Sequence, residues 1–342
     1  MPRLPRNVDV AIMGGGFAGL ATAWWLSRTG VHDVLVFERE SELGRYASGR
    51  CAGLGRQVGE DDLMSSFTVT GAAYLRQFFP RCWTETGGLL TFDNASAARG
   101  YAARAKRMSV PATCIERGDV LAFWPQLNLV DIAAGVHVPS DGIIDVKALL
   151  AAYAEHMRVA LDTVVERIIA TPGGATLLTS RGSFVARIVV DATGACAGQV
   201  TGSPLLDSFK RHVFLLEAPA PPRVPFVWHM GAREFCVREA DEQIMVSPCD
   251  ATKAEPGDQQ CDDTGEALMR TRLAGSPIGT APIARAWAYQ RTFAPRPPMK
   301  LEVDPKRPWL IWAAGLGGHD ATASAVVGET VARLVVEALA RM

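Results

Sequence analysis

The most informative pattern of apolar and polar positions lies in residues 8–38. An apolar run leads into a glycine-rich turn, an apolar segment with helical spacing follows, and a second apolar run ends at an acidic residue. Short apolar runs bounded by turns are typical of buried strands, and apolar positions three and four residues apart are typical of a helix. This order predicts a strand, a helix and a second strand, which together form a βαβ unit.

The turn of this unit carries three glycines at G-x-G-x-x-G spacing. Gly14 lets the chain turn sharply out of the strand, Gly16 leaves room for a pyrophosphate, and Gly19 lets helix and strand pack closely. The helix N-terminus offers N–H groups to phosphates, and the carboxylate of Glu38 can accept hydrogen bonds from ribose hydroxyls. The unit therefore predicts dinucleotide binding. The residues expected to bind the dinucleotide here are Gly14, Gly16, Phe17, Ala18, Gly19, Glu38 and Arg39.

Later segments are interpreted as further parts of the same nucleotide-binding domain. Residues 163–170 and 175–180 predict short strands on either side of a Pro-Gly-Gly turn, and residues 187–194 predict a buried strand that enters a turn of small residues. Residues 309–314 predict another buried strand, which a glycine turn and an apolar-patterned helix follow. The domain is therefore assembled from distant stretches of the chain.

The intervening residues predict a second domain. They contain alternating strands, several prolines and many of the tryptophans, which favours an antiparallel sheet. The expected fold class is α/β, with a Rossmann-type domain of parallel strands and helices, and a second domain whose antiparallel sheet is packed by helices. The predicted division assigns residues 1–88, 142–206 and 304–342 to the first domain, and residues 89–141 and 207–303 to the second.

Composition narrows the class of protein. The chain has 342 residues, 48% hydrophobic content and a formal net charge of −1, so we expect a large core and no nucleic acid or anionic membrane as partner. No apolar run reaches the ~18 residues of a transmembrane helix, and residues 1–7 lack a signal-peptide core, so a cytoplasmic protein is expected. The seven cysteines contain no C-x-x-C pair and the six histidines lack ligand spacing, which argues against disulfides and metal sites.

Six segments occur in the order seen in one enzyme family. They are the glycine turn, residues 46–57 (YASGRCAGLGRQ), SDGIIDVKAL, DATGA, AWAYQRTFAP and AAGLGGHDATASAVVGE. On these motifs, over nearly the whole chain, the sequence resembles the D-amino-acid oxidase-like FAD oxidoreductases, most of all the branch with glycine oxidase, sarcosine oxidase and D-arginine dehydrogenase. The resemblance implies noncovalent FAD and oxidation of the C–N bond of an amino acid or amine by hydride transfer to flavin. The imine would then hydrolyse, and dioxygen or a quinone-type carrier would reoxidise the flavin.

The resemblance also assigns residues to the flavin. It implies that residues 48–50 hold the diphosphate and ribityl chain and that the backbone of Val164 meets the adenine, although a valine in an apolar run fits a core position equally well. The glycines before the last helix would place the positive end of its dipole at the pyrimidine edge of reduced flavin. The cofactor residues implied are Ser48, Gly49, Arg50, Ala52, Gly53, Val164, Thr193, Gly194, Gly315, Gly317, Gly318, His319, Asp320, Ala321 and Thr322.

Three residues are candidates for the catalytic site. Arg291 resembles the arginine of the family's W-A-x-x-R segment, whose guanidinium binds a substrate carboxylate through two parallel hydrogen bonds; the alternative is a surface arginine at a strand end. Arg211 matches an arginine that opens a substrate-domain strand in relatives, and a salt bridge between domains is an equally good interpretation. His319 would hydrogen-bond flavin or substrate, or be structural. No catalytic base is apparent, and none is required if the amine binds unprotonated.

Three departures separate the chain from its relatives. Cys236 stands where amino-acid-oxidising relatives often have a tyrosine that contacts the substrate carboxylate, and a thiol cannot replace that phenol. Asp320 stands where relatives usually carry glycine. Because a carboxylate at the flavin pyrimidine would disfavour the reduced anion, we expect Asp320 to point away and cap the last helix. Leu54 and Gly55 replace a histidine and a tyrosine of the D-arginine branch, so D-arginine is not the expected substrate.

Three other functions are compatible with the same fold. A flavin enzyme that oxidises 2-hydroxy acids would need a base near the carbinol. A flavin-bearing subunit of a larger dehydrogenase would pass its electrons to a partner protein, and an inactive FAD-binding protein would fit the changes at Cys236 and Asp320. Two polar segments are expected to be solvated, residues 250–265 as a loop before a helix and residues 104–107 as a helix face.

Overall fold

The computed structural model describes residues 4–128, 131–202, 206–295 and 299–342. Its α-helices are α1 Phe17–Leu26, α2 Ala47–Arg50, α3 Asp62–Phe78, α4 Ala95–Arg107, α5 Arg117–Phe123, α6 Val146–Ala154, α7 Asp263–Arg272 and α8 Asp320–Ala340. The first ten strands are β1 Asn7–Met13, β2 Val34–Phe37, β3 Leu54–Gly55, β4 Trp83–Thr84, β5 Gly88–Phe92, β6 Thr113–Glu116, β7 Ala134–Val138, β8 Gly142–Ile144, β9 Val159–Ala160 and β10 Val165–Thr171. The others are β11 Gly174–Thr179, β12 Gly182–Asp191, β13 Asp207–Pro219, β14 Phe226–His229, β15 Phe235–Ala240, β16 Gln243–Ser247, β17 Thr252–Lys253, β18 Ile283–Phe293, β19 Lys300–Asp304 and β20 Arg307–Ala314.

The first large sheet is mixed and contains the predicted βαβ unit. Its order is β10-β11-β12-β1-β2-β9, and β20 pairs with the end of β12 and with β19. The central strands β20, β12, β1, β2 and β9 run parallel, whereas β10, β11 and β19 are antiparallel to their neighbours. The strand, helix and strand order of residues 8–38 is confirmed, since β1 and β2 are adjacent and α1 connects them.

Both faces of this sheet are covered. On one face, Leu20 of α1 and Val331 of α8 pack in the same buried cluster as Ile311 of β20. The opposite face buries a second cluster that includes Leu35 of β2 and Val189 of β12. Strands that are buried on both faces carry apolar residues almost throughout, which is why these segments read as continuous apolar runs in the sequence.

Two glycines of the motif are fixed by close backbone contacts. Gly14 has φ +107°, and a Cβ there would lie 2.4 Å from the carbonyl oxygen of Ala192, at the end of β12. A Cβ on Gly19 would lie 2.0 Å from the carbonyl oxygen of Gly14. Neither position can hold a side chain, because the turn, the start of α1 and the end of β12 are pressed against one another.

The second large sheet is antiparallel apart from one pair of strands. Its order is β17-β13-β16-β15-β14-β5-β7-β6, with β18 on β13 and with β14 and β5 parallel. Side chains alternate between its two faces. Phe214 and Leu216 of β13 pack with Met269 of α7 in the core of this domain. Val213 of β13 and Tyr289 of β18 instead pack towards Ala52, so this second face is turned to the segment after β2.

Several details differ from the sequence prediction. Strand β19 pairs in the first sheet, so the predicted division between residues 303 and 304 falls inside a strand. Helix α7 begins at Asp263, three residues before the predicted 266, because the Asp262 side chain accepts hydrogen bonds from the N–H groups of its first turn. Within the described residues, no helix combines the length and the apolar character needed to cross a membrane.

Candidate functional site

A cavity of about 290 Å³ lies where the parallel strands of the first sheet end and the second sheet begins. The predicted cofactor residues that line it are Gly14, Gly16, Phe17, Ala18, Glu38, Arg39, Ser48, Arg50, Val164, Thr193, Gly194, Gly315, Gly317 and Asp320. A small adjoining cavity of about 20 Å³ is lined by Ala52, Gly53, Arg291, Gly318, His319, Asp320, Ala321 and Thr322, together with Cys51, Leu54 and Trp228. Asp320 lines both cavities, so the two spaces meet at the start of α8.

Two of the predicted cofactor residues line neither cavity. Gly19 lies behind the glycine turn, as described above, and Gly49 packs on Gly44, whose carbonyl oxygen accepts the Gly49 N–H at 2.8 Å. Both glycines therefore shape the backbone that forms the wall and do not contribute to its surface.

The N-terminus of α1 faces the cavity and is bound by Ser48. The Phe17 N–H donates to Ser48 Oγ at 3.0 Å, and a Cβ on Gly16 would lie 2.9 Å from the same oxygen. The turn thus presents backbone and one hydroxyl to the cavity, at the positive end of a helix dipole. An arrangement of this kind suits a diphosphate.

Glu38 has a second task that the sequence motif does not show. Its Oε2 accepts the Gly15 N–H at 2.7 Å and its Oε1 accepts the Glu40 N–H at 2.9 Å. The carboxylate therefore fixes the glycine turn while it lines the cavity. The next residue, Arg39, lies over the ring of Tyr46, 4.8 Å from its centroid.

The buried Asp191 organises the turn that follows β12. Its Oδ1 accepts from the N–H and Oγ1 of Thr193, and its Oδ2 accepts from Gly198 N–H at 3.0 Å and Thr201 Oγ1 at 2.8 Å. This holds Thr193 and Gly194 at the cavity wall. The sequence prediction missed Asp191, although an aspartate at the end of an apolar run before a small-residue turn is a usable signal.

Val164 lies at the cavity with its backbone already engaged. Its N–H donates to Ser180 Oγ at 3.1 Å and its carbonyl oxygen accepts the Ser180 N–H at 2.9 Å. The side chain is 43% exposed, so the core interpretation of this valine is wrong. An adenine would find only a free carbonyl lone pair at this residue.

Residues 251–262 form a mostly exposed segment before α7, as expected of a solvated loop, but Gly257 and Gln259 line the cavity and several polar groups have partners elsewhere in the protein. Arg50 Nη1 donates to Asp258 Oδ1 at 2.6 Å, and Gly257 N–H donates to Gln290 Oε1 at 3.0 Å. The Asp250 carboxylate accepts both the N–H and the ring Nδ1–H of His212, at 2.8 Å each. These partners are distant in the sequence, so the sequence pattern alone cannot reveal them. At the end of α4, Lys106 and Arg107 are exposed, as expected of a solvated face, and Arg104 and Arg107 pair with Asp62.

The Arg291 guanidinium lies in the wall of the small cavity. Its Nε and Nη2 donate to Tyr289 Oη at 3.3 and 3.1 Å, and it forms no ion pair with a carboxylate of the described residues. A Cβ on Gly318 would lie 2.6 Å from Arg291 Nη1, so a side chain at 318 would displace the guanidinium from this position. Burial raises the pKa of Tyr289 to about 12, which keeps this phenol protonated.

Among the described residues Arg211 forms no salt bridge, which argues against the alternative interpretation of this arginine as an ion-pair former between domains. It lies opposite Tyr289 in the pairing of β13 with β18, and only 7% of its side chain is exposed. Its Nε and Nη1 are buried and have no hydrogen-bond partner in the described part of the chain. The structure therefore places Arg211 and Arg291 on one face of the sheet, and neither forms an ion pair with a carboxylate of the described residues.

The buried His319 belongs to a polar network, reaching the exposed Glu60, that the sequence did not predict. Its Nε2 lies 2.7 Å from Glu60 Oε2 and 2.9 Å from Arg56 Nη2, and Arg56 also pairs with Glu60. Burial lowers the pKa of His319, and the neighbouring Arg56 lowers it further. The Nε2 atom is thus occupied within the protein, which favours the structural interpretation of this histidine.

The expectation that Asp320 caps the last helix and points away is wrong. His319 occupies the N-cap position, Asp320 is the first residue of α8, and Asp320 lines both cavities. Burial raises the pKa of Asp320 to about 6, although Arg291 acts in the opposite direction. The site therefore contains a carboxyl group that titrates near neutral pH.

Cys236 is a buried residue of β15, directly opposite Trp228 on β14. The hydrogen bond that it shares with Cys249 holds the pKa of Cys236 below its usual value. The phenol that a thiol cannot replace is nevertheless present in the site. Tyr289 supplies it from β18, in contact with Arg291.

The site has two ends, the glycine-turn end and the arginine end. The glycine-turn end comprises residues 14–17, Glu38, Ser48 and Asp191. The arginine end comprises Arg211, Tyr289, Arg291 and Asp320.

Comparison with known proteins places the fold and the family. One similar solved structure is L-proline dehydrogenase from P. horikoshii, with TM-score 0.88, 18% identity and coverage of 98% of this chain and 94% of that one. Glycine oxidase from Geobacillus kaustophilus gives TM-score 0.83, 24% identity and coverage of 97% and 95%. Mitochondrial sarcosine dehydrogenase from Mus musculus is 26% identical over 155 residues, which are 42% of this chain and 16% of that protein.

The chain spans a quarter or less of the length of several of the curated relatives it matches. The family model, in contrast, matches almost the whole chain. Residues 9–334 fit the model described as FAD dependent oxidoreductase, the DAO family. This agrees with the six motifs and with a cavity built on a dinucleotide-binding βαβ unit, and the chain therefore belongs to the D-amino-acid oxidase-like family of FAD-dependent oxidoreductases.

Proposed function

We propose that this protein oxidises the C–N bond of an amino acid, or of a related amine that carries a carboxylate. The observation that carries the proposal is Arg291, a guanidinium without a carboxylate partner among the described residues, placed in a cavity wall beside Tyr289 and Asp320. A cation in this state is a binding site for an anion of the substrate. The supporting context is the FAD-dependent oxidoreductase family of the chain.

The residues of the cavity fit FAD. The side-chain-free turn at Gly14 and Gly16 and the N-terminus of α1 would hold the diphosphate, and the Glu38 carboxylate retains lone pairs for a ribose hydroxyl. The glycines before α8 would accept the flavin ring against backbone. When bound there, FAD supplies the acceptor for a hydride from the substrate.

The protein's own task is to bind and orient the substrate. Tyr289 Oη accepts hydrogen bonds from Arg291, so its own proton is free to donate to a substrate carboxylate. Arg291 Nη1 supplies a second, charge-assisted hydrogen bond to the same carboxylate. Two donors from one strand fix the position and the direction of the carboxylate, and with it the α-carbon.

Asp320 is the group that we propose accepts the substrate's proton. An amino acid enters as an ammonium ion, and its nitrogen must lose a proton before its lone pair can form the C=N bond. The ionised Asp320 carboxylate lies in the wall shared by both cavities, where it can attract the ammonium group and take this proton.

The same carboxylate keeps a second function open. A 2-hydroxy acid would use the same arginine and would need a base near the carbinol, a role that Asp320 also fits. We further propose dioxygen or a quinone as the electron acceptor, and a domain division that follows the two large sheets.

An anaerobic substrate panel tests the proposal. The FAD-loaded protein is mixed with D- and L-amino acids, N-methyl amino acids, cyclic imino acids and 2-hydroxy acids, and loss of the oxidised flavin absorbance is followed. We expect bleaching by a carboxylate-bearing amine and none by the matching 2-hydroxy acid. Bleaching by the hydroxy acid alone would establish the alternative, and bleaching by no member would indicate an inactive FAD-binding protein or a different substrate class.

A further inference from the structure

The two unpaired arginines lie on one face of the second sheet. In the antiparallel pairing of β13 with β18, Arg211 is opposite Tyr289 and Phe209 is opposite Arg291. Side chains two residues apart on a strand share a face, so Arg211, Tyr289 and Arg291 all point to the same side. The two arginines are diagonal neighbours, a relation that places Cβ atoms ~7 Å apart.

This shared face is the one that borders the cavities. Tyr289 lines the large cavity and Arg291 lines the small one. The opposite face of β13 carries Phe214 and Leu216, which are buried in the core of the second domain. Arg211 itself lines neither cavity, but it projects from this same face of the sheet and not towards the domain interior.

No acceptor of the described residues lies within hydrogen-bond distance of Arg211 Nε or Nη1. The nearby Asp250 carboxylate accepts from His212, and Tyr289 Oη accepts from Arg291. Asp320 forms no ion pair with either arginine among the described contacts. Arg211 Nε and Nη1 are consequently buried without a partner.

A half-buried arginine elsewhere in the chain shows what a satisfied guanidinium looks like. Arg238 donates to the carbonyl oxygens of Ala52 and Glu239 at 2.7 Å each. A buried charge without such partners is costly, and an arginine cannot escape the cost by losing its proton. A molecule that enters the site can supply the acceptor that Arg211 Nε and Nη1 lack among the described residues.

We propose that the substrate carries two anionic groups and that Arg211 binds the second one. The inference rests on the proposed function, since it concerns the same cavity, and it defines the substrate class as an amine with two carboxylates. Acidic amino acids and N-carboxyalkyl amino acids belong to this class. Arg291 and Tyr289 hold the carboxylate next to the reacting carbon, and Arg211 selects for the distal one.

Binding of compounds that cannot be oxidised tests this without turnover. FAD-loaded protein is titrated with propionate and with malonate, succinate and glutarate, and the dissociation constants are measured by calorimetry. We expect the best dicarboxylate to bind about 30-fold more tightly than propionate, because a buried charge pair contributes strongly to affinity. Equal affinity for propionate and all three dicarboxylates would overturn the inference.

Substitutions of Arg211 test whether this residue causes the preference for a dicarboxylate over propionate. Arg211→Met should abolish the preference for the dicarboxylate and leave propionate binding within about twofold, and Arg211→Lys should restore part of it. Arg285→Met is the matched control, because Arg285 is an exposed arginine of the same strand as Arg291 and should leave both affinities unchanged. A dicarboxylate preference that survives in Arg211→Met would overturn the inference.

Thermal stability separates ligand binding from a structural role. Arg211 Nε and Nη1 make no hydrogen bond within the described part of the chain, so Arg211→Met without ligand should melt at the wild-type temperature or above it. The best dicarboxylate should raise the melting temperature of the wild type and not of the variant. A lower melting temperature of the ligand-free variant would show an internal partner and overturn the inference.

The outcome of these measurements is independent of the outcome of the substrate panel that tests the proposed function. If carboxylate-bearing amines bleach the flavin but dicarboxylates show no preference, the proposed function stands and the second anion site is wrong. If dicarboxylates bind through Arg211 but no amine bleaches the flavin, the anion site stands and amine oxidation is wrong.

Discussion

The two ends of the site differ in how their polar groups are satisfied. At the glycine-turn end, Glu38, Asp191 and Ser48 each accept hydrogen bonds from backbone N–H groups of the turns that they border. At the arginine end, Arg211 and Arg291 have no carboxylate partner among the described residues. The named polar groups of the glycine-turn end are hydrogen-bonded within the protein, whereas the arginine end keeps positive charge that an anionic ligand can neutralise.

This difference teaches where specificity resides. Satisfied carboxylates at the glycine-turn end fix the shape of a backbone cradle, which any member of a dinucleotide-binding family needs. Unsatisfied cations at the arginine end raise the free energy of the empty site, and an anionic ligand recovers that cost on binding. We therefore expect changes at the glycine-turn end to alter cofactor retention, and changes at the arginine end to alter substrate selection.

The largest effect should come from Gly16→Val. The backbone of Gly16 lies at φ −93°, which valine tolerates, but its Cβ would lie 2.9 Å from Ser48 Oγ and occupy the space of the diphosphate. We expect FAD binding to be lost with much of the fold retained, measured as flavin released by acid per mole of protein. Gly118→Val is the control, since a Cβ there meets nothing within 4 Å. FAD content near the wild-type value in Gly16→Val would refute the placement of the cofactor.

Glu38→Ala should weaken FAD retention to a smaller extent. It removes the acceptor of the Gly15 and Glu40 N–H groups, and each donor left without an acceptor costs about 1 to 3 kcal/mol when buried. Glu38→Gln keeps one acceptor and should lose about half as much, in the FAD dissociation constant and in the free energy of unfolding. Substrate selectivity should not change in either variant. An altered substrate profile with intact FAD affinity would show that Glu38 belongs to the other end.

Asp320→Asn should change the pH dependence of amine oxidation. Because burial raises the pKa of Asp320 to about 6, the wild-type carboxyl is protonated below that pH and ionised above it. If the ionised form accepts the substrate's proton, kcat/KM should rise as the pH increases through about 6, and Asp320→Asn should lack this rise. A wild-type profile that is unchanged by the substitution would exclude Asp320 from proton transfer.

Asp141→Asn should have the smallest effect on function, because Asp141 lies outside the site. This buried carboxyl group provides a comparison with the buried arginine Arg211. Asp141 Oδ1 accepts from Gln57 at 3.0 Å, and its Oδ2 is buried without a partner. Unlike Arg211, this group avoids the cost of burial by staying protonated, since burial raises its pKa to about 7.

The sign of its contribution to stability follows from that shift. The folded protein holds the Asp141 proton at pH values where the unfolded chain, with an aspartate pKa of about 4, has lost it. The wild type should therefore lose stability as the pH rises from about 4 to about 7, and Asp141→Asn should lose less. Parallel curves of melting temperature against pH for the two proteins would contradict this assignment. FAD content and activity should remain unchanged.

Sequence reasoning succeeded where the chemistry is local. The βαβ unit and the position of Glu38 follow from spacing within residues 8–38, because strand, turn and helix are consecutive there. The arrangement of Arg211 beside Tyr289 required the register of β13 against β18, strands about 80 residues apart that no local pattern aligns. The contacts of His319 with Arg56 and Glu60 also join segments that are far apart in the sequence, so no local pattern predicts them. The prediction for Asp320 used helix capping, which is a local rule, and the structure places His319 at the N-cap instead.

The central claim is that Arg291 anchors a substrate carboxylate, and selectivity between matched substrates tests it most directly. For wild type, Arg291→Lys and Arg291→Ala, kcat/KM is measured on a carboxylate-bearing amine and on the same amine without its carboxylate, with FAD content as the check on folding. We expect Arg291→Ala to lose on the order of 2 to 5 kcal/mol of transition-state stabilisation on the first substrate, Arg291→Lys to lose less, and both to lose far less on the second. Equal losses on both substrates, or wild-type activity of Arg291→Ala on the carboxylate-bearing amine, would contradict the claim.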